Sequence, residues 1–156
     1  IITYLRYNYQ NFIYIGITMA FMEDYKAHIA ERETLGVPPL PLTAEQTAEV
    51  IELIKADCTE ELLDLLQNRV PPGVDDAAYV KAAFLNDVAA GNTIVSAISA
   101  DSAVSMLGMM LGGYNVKPMI DALSSSDASV VEAAVVALSK TLLVYDAFND
   151  VEELYK

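Results

Sequence analysis

The sequence predicts an all-α fold made of antiparallel helix pairs. Apolar residues recur at helical spacing through most of the chain, and residues that favour helix N-termini stand just before several of these runs. Proline and glycine breaks separate the runs into successive pairs. The 156 residues are 54% hydrophobic, which suits a single well-filled helical core.

The first 21 residues differ from the rest of the chain. They are rich in β-branched and aromatic residues, contain no acidic residue and begin with Ile. We interpret residues 1–21 as a leader or non-native extension, with the native start at Met19 or Met22. A signal peptide is the alternative, although no clean cleavage site follows. The apolar run within it is shorter than the about 20 residues that span a bilayer. The helical domain would then occupy residues 22–156.

The first predicted helix spans residues 22–35, and Gly36 ends it. Three prolines follow within residues 37–42. Proline lacks an N–H donor and disfavours helix in the residue before it, so this segment must be an extended strap. We expect the strap to cross a helical core; a ligand for a proline-reading module is the alternative.

Two capped helices follow the strap. Thr43 and Gln46 have the spacing of a capping box, which predicts a helix over residues 43–55. Thr59 precedes a helix over residues 59–70, with acidic residues near its positive end. The residues predicted to be buried in this pair are Thr47, Val50, Ile51, Ile54, Leu62, Leu63, Leu65, Leu66 and Val70.

A Pro-Pro-Gly break then separates this pair from the next helix. Asp75 or Asp76 is the predicted cap of a helix over residues 76–90, and Gly91 closes it. Its predicted buried residues are Tyr79, Val80, Ala83, Phe84 and Val88.

The stretch 107–118, which we call the joint, connects two helices with almost no linker. Its two adjacent glycines can take the backbone angles that end the helix over residues 101–111. Asn115 is the predicted N-cap of the next helix, over residues 116–123. The methionines at positions 106, 109 and 110 are expected to fill gaps in the core rather than to form a binding surface.

The last predicted pair ends in the longest helix. Asp127 caps a run over residues 128–145 that is apolar almost all round, so we expect it to be the most buried helix. Residues 146–150 are predicted to break it, and another helix begins at Val151.

The predicted helices form pairs that recur at roughly 35–40 residues, near the periods of helical-hairpin solenoids. The sequence therefore predicts a HEAT-like, right-handed stack of antiparallel pairs, an α-α superhelix. The three pairs are 43–55 with 59–70, 76–90 with 101–111, and 116–123 with 128–145.

The chain is strongly acidic. It has 9 basic and 22 acidic residues and a net charge of −13. Only one charged residue, Arg6, precedes Met22, so residues 22–156 carry −14. Such a surface repels phosphate backbones, which argues against nucleic-acid binding by this domain alone. A partner face is expected to be basic or apolar.

The sequence offers little catalytic chemistry. The single cysteine, Cys58, cannot form an intramolecular disulfide or a thiolate metal site, which fits a cytoplasmic protein. We expect it to be a small buried hydrophobe; a reactive thiol at a helix N-terminus is the alternative. The single histidine, His28, is expected to be solvated. We find no nucleophile–base triad, zinc motif or phosphate loop. We predict no catalytic, metal or cofactor-binding residue in this chain.

Several ordered blocks resemble the bacterial aconitate hydratase B family. They include Met22-Glu23-Asp24-Tyr25-Lys26-Ala27-His28, the run from Leu62 to Asp75 containing Asn68-Arg69-Val70-Pro71-Pro72-Gly73, Ala78-Tyr79-Val80-Lys81-Ala82, the joint with Ile120-Asp121-Ala122-Leu123, and Ala137-Leu138-Ser139-Lys140-Thr141-Leu142-Leu143 through Asp150-Val151-Glu152-Glu153. The resemblance covers residues 22–156.

This resemblance implies a non-catalytic, HEAT-like N-terminal interaction domain of a larger enzyme. The family interconverts citrate and isocitrate through cis-aconitate and dehydrates 2-methylisocitrate, with a [4Fe–4S] cluster held by cysteines in a later domain. The implied partners are the remaining domains of the parent, a second copy in a homodimer and other metabolic enzymes, with no membrane. RNA binding is implied only for the intact, iron-free enzyme.

Three residues at helix junctions are candidate contact residues: Arg69, Tyr114 and Asn115. We expect them to be exposed or half-exposed. The structural alternative is that Arg69 pairs with a helix C-terminus while Tyr114 and Asn115 serve the turn. Two other functions stay open at this point, a free-standing acidic helical-repeat adaptor and, less favoured by the missing motifs, a stand-alone enzyme.

Overall fold

A computed structural model describes Gly16 and residues 20–141 and 145–156, and within these residues the predicted all-α class is confirmed. The described β structure is limited to an isolated bridge between Val95 and Ile98. The helices are α1 (20–34), α2 (Ala44–Ala56), α3 (Glu60–Asn68), α4 (Asp76–Ala89), α5 (Ala100–Leu107), α6 (Val116–Ala122), α7 (Ala128–Leu138) and α8 (Tyr145–Tyr155). Most of the predicted extension, residues 1–15 and 17–19, lies outside the described residues.

The chain forms two compact units, residues 1–41 and 42–156. In the first unit, α1 is followed by the proline strap, and Gly36 lies between them at a φ of 67°, as its predicted helix-ending role requires. The strap is held beside its own helix. The Leu40 N–H donates to His28 Nε2 at 3.1 Å, and Arg32 Nε donates to the Pro38 carbonyl at 3.0 Å. His28 is therefore a half-buried acceptor rather than a fully solvated side chain.

The second unit begins with the predicted pair α2 and α3, and both predicted caps are present. Thr43 and Gln46 make the reciprocal bonds of a capping box, and the Thr59 hydroxyl accepts from the Leu62 N–H. The core prediction is confirmed except at Leu63, which is half-buried. The pair thus follows from local sequence signals.

Helix α4 begins at the predicted cap, because the Asp75 carboxylate accepts from the Ala78 N–H at 3.1 Å. Its buried face differs from the predicted one. Tyr79 and Ala83 are exposed, although Phe84 and Val88 are buried. The face that packs inward consists of Ala77, Ala78, Lys81, Ala82, Phe84, Leu85 and Val88. The inward face of α4 is therefore rotated from the predicted one. It contains small residues, which allow close helix packing, and it includes one lysine, Lys81.

Helix α5 ends at Leu107, four residues before the predicted end. The next N–H groups, of Met109 and Met110, donate to carbonyls three residues earlier, so the helix tightens into a turn. Gly108 lies at this end and packs closely on α7. A Cβ placed on Gly108 would lie 2.6 Å from the Cβ of Ala137.

The prediction of one long helix over residues 128–145 is wrong. Helix α7 ends at Leu138, where the Ser139 hydroxyl donates to the Val136 carbonyl and the Thr141 hydroxyl donates to the Ala137 carbonyl. These side chains compete for the carbonyls that a continuing helix would use. The predicted break at 146–150 lies instead within α8.

Helix α7 is also not the most buried helix. Val135 and Val136 are exposed, and its inward face is formed by Val130, Ala134 and Ala137. Each predicted pair is in contact, α2 with α3, α4 with α5 and α6 with α7. Further packing joins α2 to α4, α5 to α7 and α6 to α8, so helices distant in sequence share one core in this unit.

Candidate interaction site

Two loops singled out by the sequence meet in the second unit. The Leu111 N–H donates to the Pro72 carbonyl at 2.8 Å. The Tyr114 hydroxyl donates to the Gly73 carbonyl at 2.6 Å. The Pro-Pro-Gly break before α4 is thereby fastened to the joint between α5 and α6.

Asn115 is buried and organises the joint from inside. Its side-chain amide donates to the Leu107 carbonyl at 2.8 Å and to the Met110 carbonyl at 2.9 Å. These carbonyls belong to the end of α5 and the turn after it, where the helix leaves acceptors without intrahelical partners. The Asn115 side chain thus caps the C-terminal end of α5.

Asn115 stands at the predicted N-cap position of α6, but its side chain does not cap that helix, and its expected exposure is wrong. Asn115 makes no side-chain cap bond to α6, its backbone is helical, and the residue is 1% exposed. The sequence signal for an N-cap is its position before a helix. The side-chain amide instead donates to the Met110 carbonyl, for which no other donor is described, and to the Leu107 carbonyl, which also accepts from the Met110 N–H.

Tyr114 is half-buried, as expected, and its ring is held from two sides. It packs on the Tyr79 ring at a centroid distance of 4.6 Å, and it lies across Gly112, where any Cβ would overlap the ring. Gly113 takes a φ of 80°, the left-handed angle that glycine tolerates best. Burial, and then the charge of Asp75, raise the pKa of the Tyr114 hydroxyl, which keeps it protonated as a donor.

Arg69 is half-buried and stands at the C-cap position of α3. Its N–H donates to the Leu65 carbonyl at 2.9 Å, and its carbonyl accepts from the Leu42 N–H at 2.8 Å. Within the described part of the chain, no direct hydrogen bond joins Arg69 to Tyr114. The structure therefore brings Tyr114 and Asn115 together and leaves Arg69 at the other end of the Pro-Pro loop.

Large apolar side chains are exposed around the two fastened loops. Leu111 is 79% exposed, Val74 70% and Met109 65%. We call the surface formed by these loops and the adjacent ring of Tyr79 the junction surface, which comprises Pro72, Val74, Tyr79, Met109, Leu111 and Tyr114. Exposed apolar groups concentrated at rigid loops are typical of contact surfaces between proteins or domains.

A cleft of about 270 Å³ opens beside the junction surface and shares Pro72 and Met109 with it. Its lining consists of Gln67, Asn68, Val70, Pro72, Lys81, Met106, Met109 and Met110. The expectation that these methionines fill the core is confirmed for Met106 and Met110 and is wrong for Met109. Met106 and Met110 are buried in the core, whereas Met109 faces solvent.

Lys81 lines this cleft, although no role was predicted for it from the sequence. It is only 5% exposed, and its Nζ donates to the Gln67 carbonyl at 3.3 Å. Burial lowers its pKa from 10.5 to about 8, because an apolar environment disfavours the charged form. One signal could have found it. Lys81 lies at helical spacing from Ala77 and Leu85, in the middle of an apolar stripe.

The described residues contain no group of three or more His, Cys, Asp or Glu side chains that could hold a metal ion. Cys58 is half-buried rather than buried as expected, and burial followed by the charge of Asp57 raises the pKa of its thiol. One cysteine is too few to ligate an iron–sulfur cluster, so this chain does not fit such a group. Among the described helices, none has the length and apolar character needed to cross a bilayer.

These features define a class of protein, an acidic all-helical domain with apolar side chains exposed at two hydrogen-bonded loops and without a recognisable catalytic constellation in its described residues. The chain belongs to the aconitate B N-terminal domain family, whose pattern it matches over residues 24–156. The resemblance inferred from the sequence blocks is thereby confirmed.

The relatives compared below are all named aconitate hydratase B. The chain is 54% identical over 136 residues to aconitate hydratase B of Synechocystis sp., a match covering 85% of this chain. It is 52% identical to aconitate hydratase B of Salmonella typhimurium and 51% identical to that of Escherichia coli, each over 138 residues and 86% of this chain. In all three cases the match spans 16% of the relative's length.

Proposed function

We propose that this chain serves as a non-catalytic, N-terminal docking domain of a larger aconitate hydratase. The observation that carries the proposal is the junction surface, which exposes Val74, Met109 and Leu111 on loops held rigid by Tyr114 and Asn115. The intact enzyme would interconvert citrate and isocitrate through cis-aconitate and dehydrate 2-methylisocitrate. Its [4Fe–4S] cluster would be held by cysteines outside this chain.

The docked domain would have two roles. It would pack on the remaining domains of the parent, or on a second copy or another metabolic enzyme, and it would wall the route by which substrate reaches the active site. The successive packing of α2 on α4, α4 on α5 and α5 on α7 supports a HEAT-like stack as the architecture that presents this surface.

Charge supports a protein contact over an RNA contact. The net charge of −13 disfavours phosphate backbones, so RNA binding by the iron-free parent would depend on other domains. Arg69 is proposed as a rim contact and Tyr114 as a central one, because half-buried aromatic side chains are common at the centres of interfaces. Asn115 would act through the shape of the joint.

The proposal is tested in the full-length protein whose reading frame contains this segment. Leu111→Glu places a charge in the apolar junction surface, and Ile94→Glu is the matched control on an exposed loop outside it. If the surface docks, Leu111→Glu should speed hydrogen exchange of residues 108–114 by about tenfold relative to Ile94→Glu, equivalent to about 1.4 kcal/mol. Equal exchange in the two variants would contradict docking through this surface.

The alternative function is a free-standing acidic adaptor, favoured by the same exposed apolar groups. The two functions are separated by the transcript and by activity. A reading frame that continues into a cysteine-bearing enzyme, together with aconitate hydratase activity of its product, supports the docking domain. A frame that stops near Lys156 supports the adaptor.

A further inference from the structure

Lys81 is a buried cation without a described counter-charge. Lys55 pairs with Glu52, and Lys117 pairs with Asp121. Among the described residues, Lys81 Nζ has only the Gln67 carbonyl as a hydrogen-bond partner, and no carboxylate lies within ion-pair distance. A buried ammonium normally has a paired anion, because removing a charge from water is costly.

The surroundings of Lys81 indicate what would complete the site. The lining has an apolar part, consisting of Val70, Pro72 and the three methionines, which suits methylene groups. Lys81 is the one charged residue that lines it, and the exposed side chains of Gln67 and Asn68 can donate further hydrogen bonds. A carboxylate on a short apolar stem matches both parts.

We propose that the cleft receives an Asp or Glu side chain from the part of the parent polypeptide outside this segment, and that Lys81 is the cation that pairs with it. The inference rests on the proposed docking function and deepens it. The cleft shares Pro72 and Met109 with the junction surface, so a segment docked there would place its side chains at the cleft mouth. Because the carboxylate would belong to the same polypeptide, its effective concentration at the cleft would be high. A single ion pair would then be enough to keep the cleft occupied.

The direct test is zero-length cross-linking of the full-length protein with a carbodiimide, followed by peptide mass spectrometry. The carboxylate adds to the carbodiimide to give an O-acylisourea, the unprotonated Lys81 amine attacks its carbonyl carbon, and an amide forms as the urea leaves. We expect an amide between Lys81 and an Asp or Glu outside residues 1–156. The pair Lys117 and Asp121, with atoms 2.8 Å apart, is the internal control for the reaction.

A second measurement uses two variants in the full-length protein. Lys81→Met keeps the length and apolar stem but removes the charge, so it should fold and yet leave the incoming carboxylate unpaired. Hydrogen exchange of residues 108–114 should rise about tenfold in Lys81→Met and less in Lys81→Arg, which keeps the charge. Lys117→Met, an exposed lysine, should leave exchange unchanged.

The outcomes separate this inference from the docking function. If Leu111→Glu loosens the surface while Lys81 forms no cross-link outside the segment and Lys81→Met changes nothing, docking stands and the role of Lys81 is overturned. If Leu111→Glu has no effect but the Lys81 cross-link forms, the carboxylate pairing stands and the apolar surface is not the contact. If Leu111→Glu has no effect, Lys81 forms no cross-link outside the segment and Lys81→Met changes nothing, both proposals are overturned.

Discussion

The side-chain amide of Asn115 donates to the carbonyl of Leu107 across eight residues, at 2.8 Å and away from solvent. With its second bond, to the Met110 carbonyl, it fastens the end of α5 to the start of α6. The short connection between these helices is therefore determined by one buried polar side chain as well as by its glycines.

Asn115→Ala should destabilise the chain by about 2–3 kcal/mol, because two buried hydrogen bonds are lost and the Met110 carbonyl loses its described donor. Asn115→Asp should cost more, since a carboxylate cannot donate to either carbonyl and is buried as a charge. Urea unfolding of each variant measures the effect. Asn68→Ala is the control, because among the described residues that exposed amide bonds only to Asp64 on α3, so its loss should change stability by less than about 0.5 kcal/mol.

Gly108→Ala should destabilise the packing of α5 on α7. The new Cβ would lie 2.6 Å from the Cβ of Ala137, so the helices must separate at a cost of about 1–3 kcal/mol. The double variant Gly108→Ala with Ala137→Gly should recover part of that loss in thermal unfolding. Gly73→Ala is the control, since its Cβ would meet only an ordinary 3.5 Å contact. Equal effects of the two alanine substitutions would refute close packing at Gly108.

Tyr114→Phe should remove the hydroxyl bond to the Gly73 carbonyl while keeping the ring contact with Tyr79. We expect a loss of about 1 kcal/mol in the free energy of unfolding. Tyr79→Phe, which leaves that hydroxyl bond in place, is the matched control. The idea that the hydroxyl fastens the loops fails if both variants unfold at the same urea concentration as the parent.

Lys81 should make the free energy of unfolding of the chain increase as the pH rises above 8. Its pKa is about 8 in the folded chain and 10.5 when unperturbed, so between these values the unfolded chain binds more protons. The lysine's destabilising effect, at most about 3 kcal/mol, is complete below pH 8 and fades as the pH rises toward 10.5. Lys81→Met should therefore be more stable than the parent at pH 7.

Urea unfolding of parent and Lys81→Met at pH 7 and about pH 9.5 checks this trend, since the advantage of Met should shrink at the higher pH. Lys117→Met is the control. The pKa of Lys117 is raised by its hydrogen bond to Asp121, so its effect has the opposite sign and no such advantage should appear. A constant difference between parent and Lys81→Met would show that burial does not perturb Lys81.

Local signals in the sequence predicted those elements whose determinants are themselves local. The Thr43 capping box, the Thr59 and Asp75 caps and the Gly36 stop each act within four residues, and the structure has all of them. The end of α7 was missed because apolar periodicity outweighed a local polar signal. Apolar periodicity continues past Leu138, but the hydroxyls of Ser139 and Thr141 bind the carbonyls and divert the chain.

The candidate site was predictable only in part, because its contacts are long-range. The Pro-Pro loop and the joint were both recognisable as breaks, and the half-burial of Tyr114 was expected. Nothing local reveals that Tyr114 reaches Gly73, 41 residues away, or that Asn115 turns back to α5 rather than forward to α6. Lys81 was missed because the predicted buried face of α4 included Tyr79 and Ala83, which are exposed, and left out the stripe on which Lys81 lies.

The joint between α5 and α6 has a mechanical consequence. Eight residues without regular helix, two adjacent glycines among them, would ordinarily make a hinge and a preferred site for proteases. Here Leu111 and Tyr114 tie the segment to the preceding loop while Asn115 ties it to α5. We therefore expect the helix pairs on either side to move together rather than to bend independently about this segment.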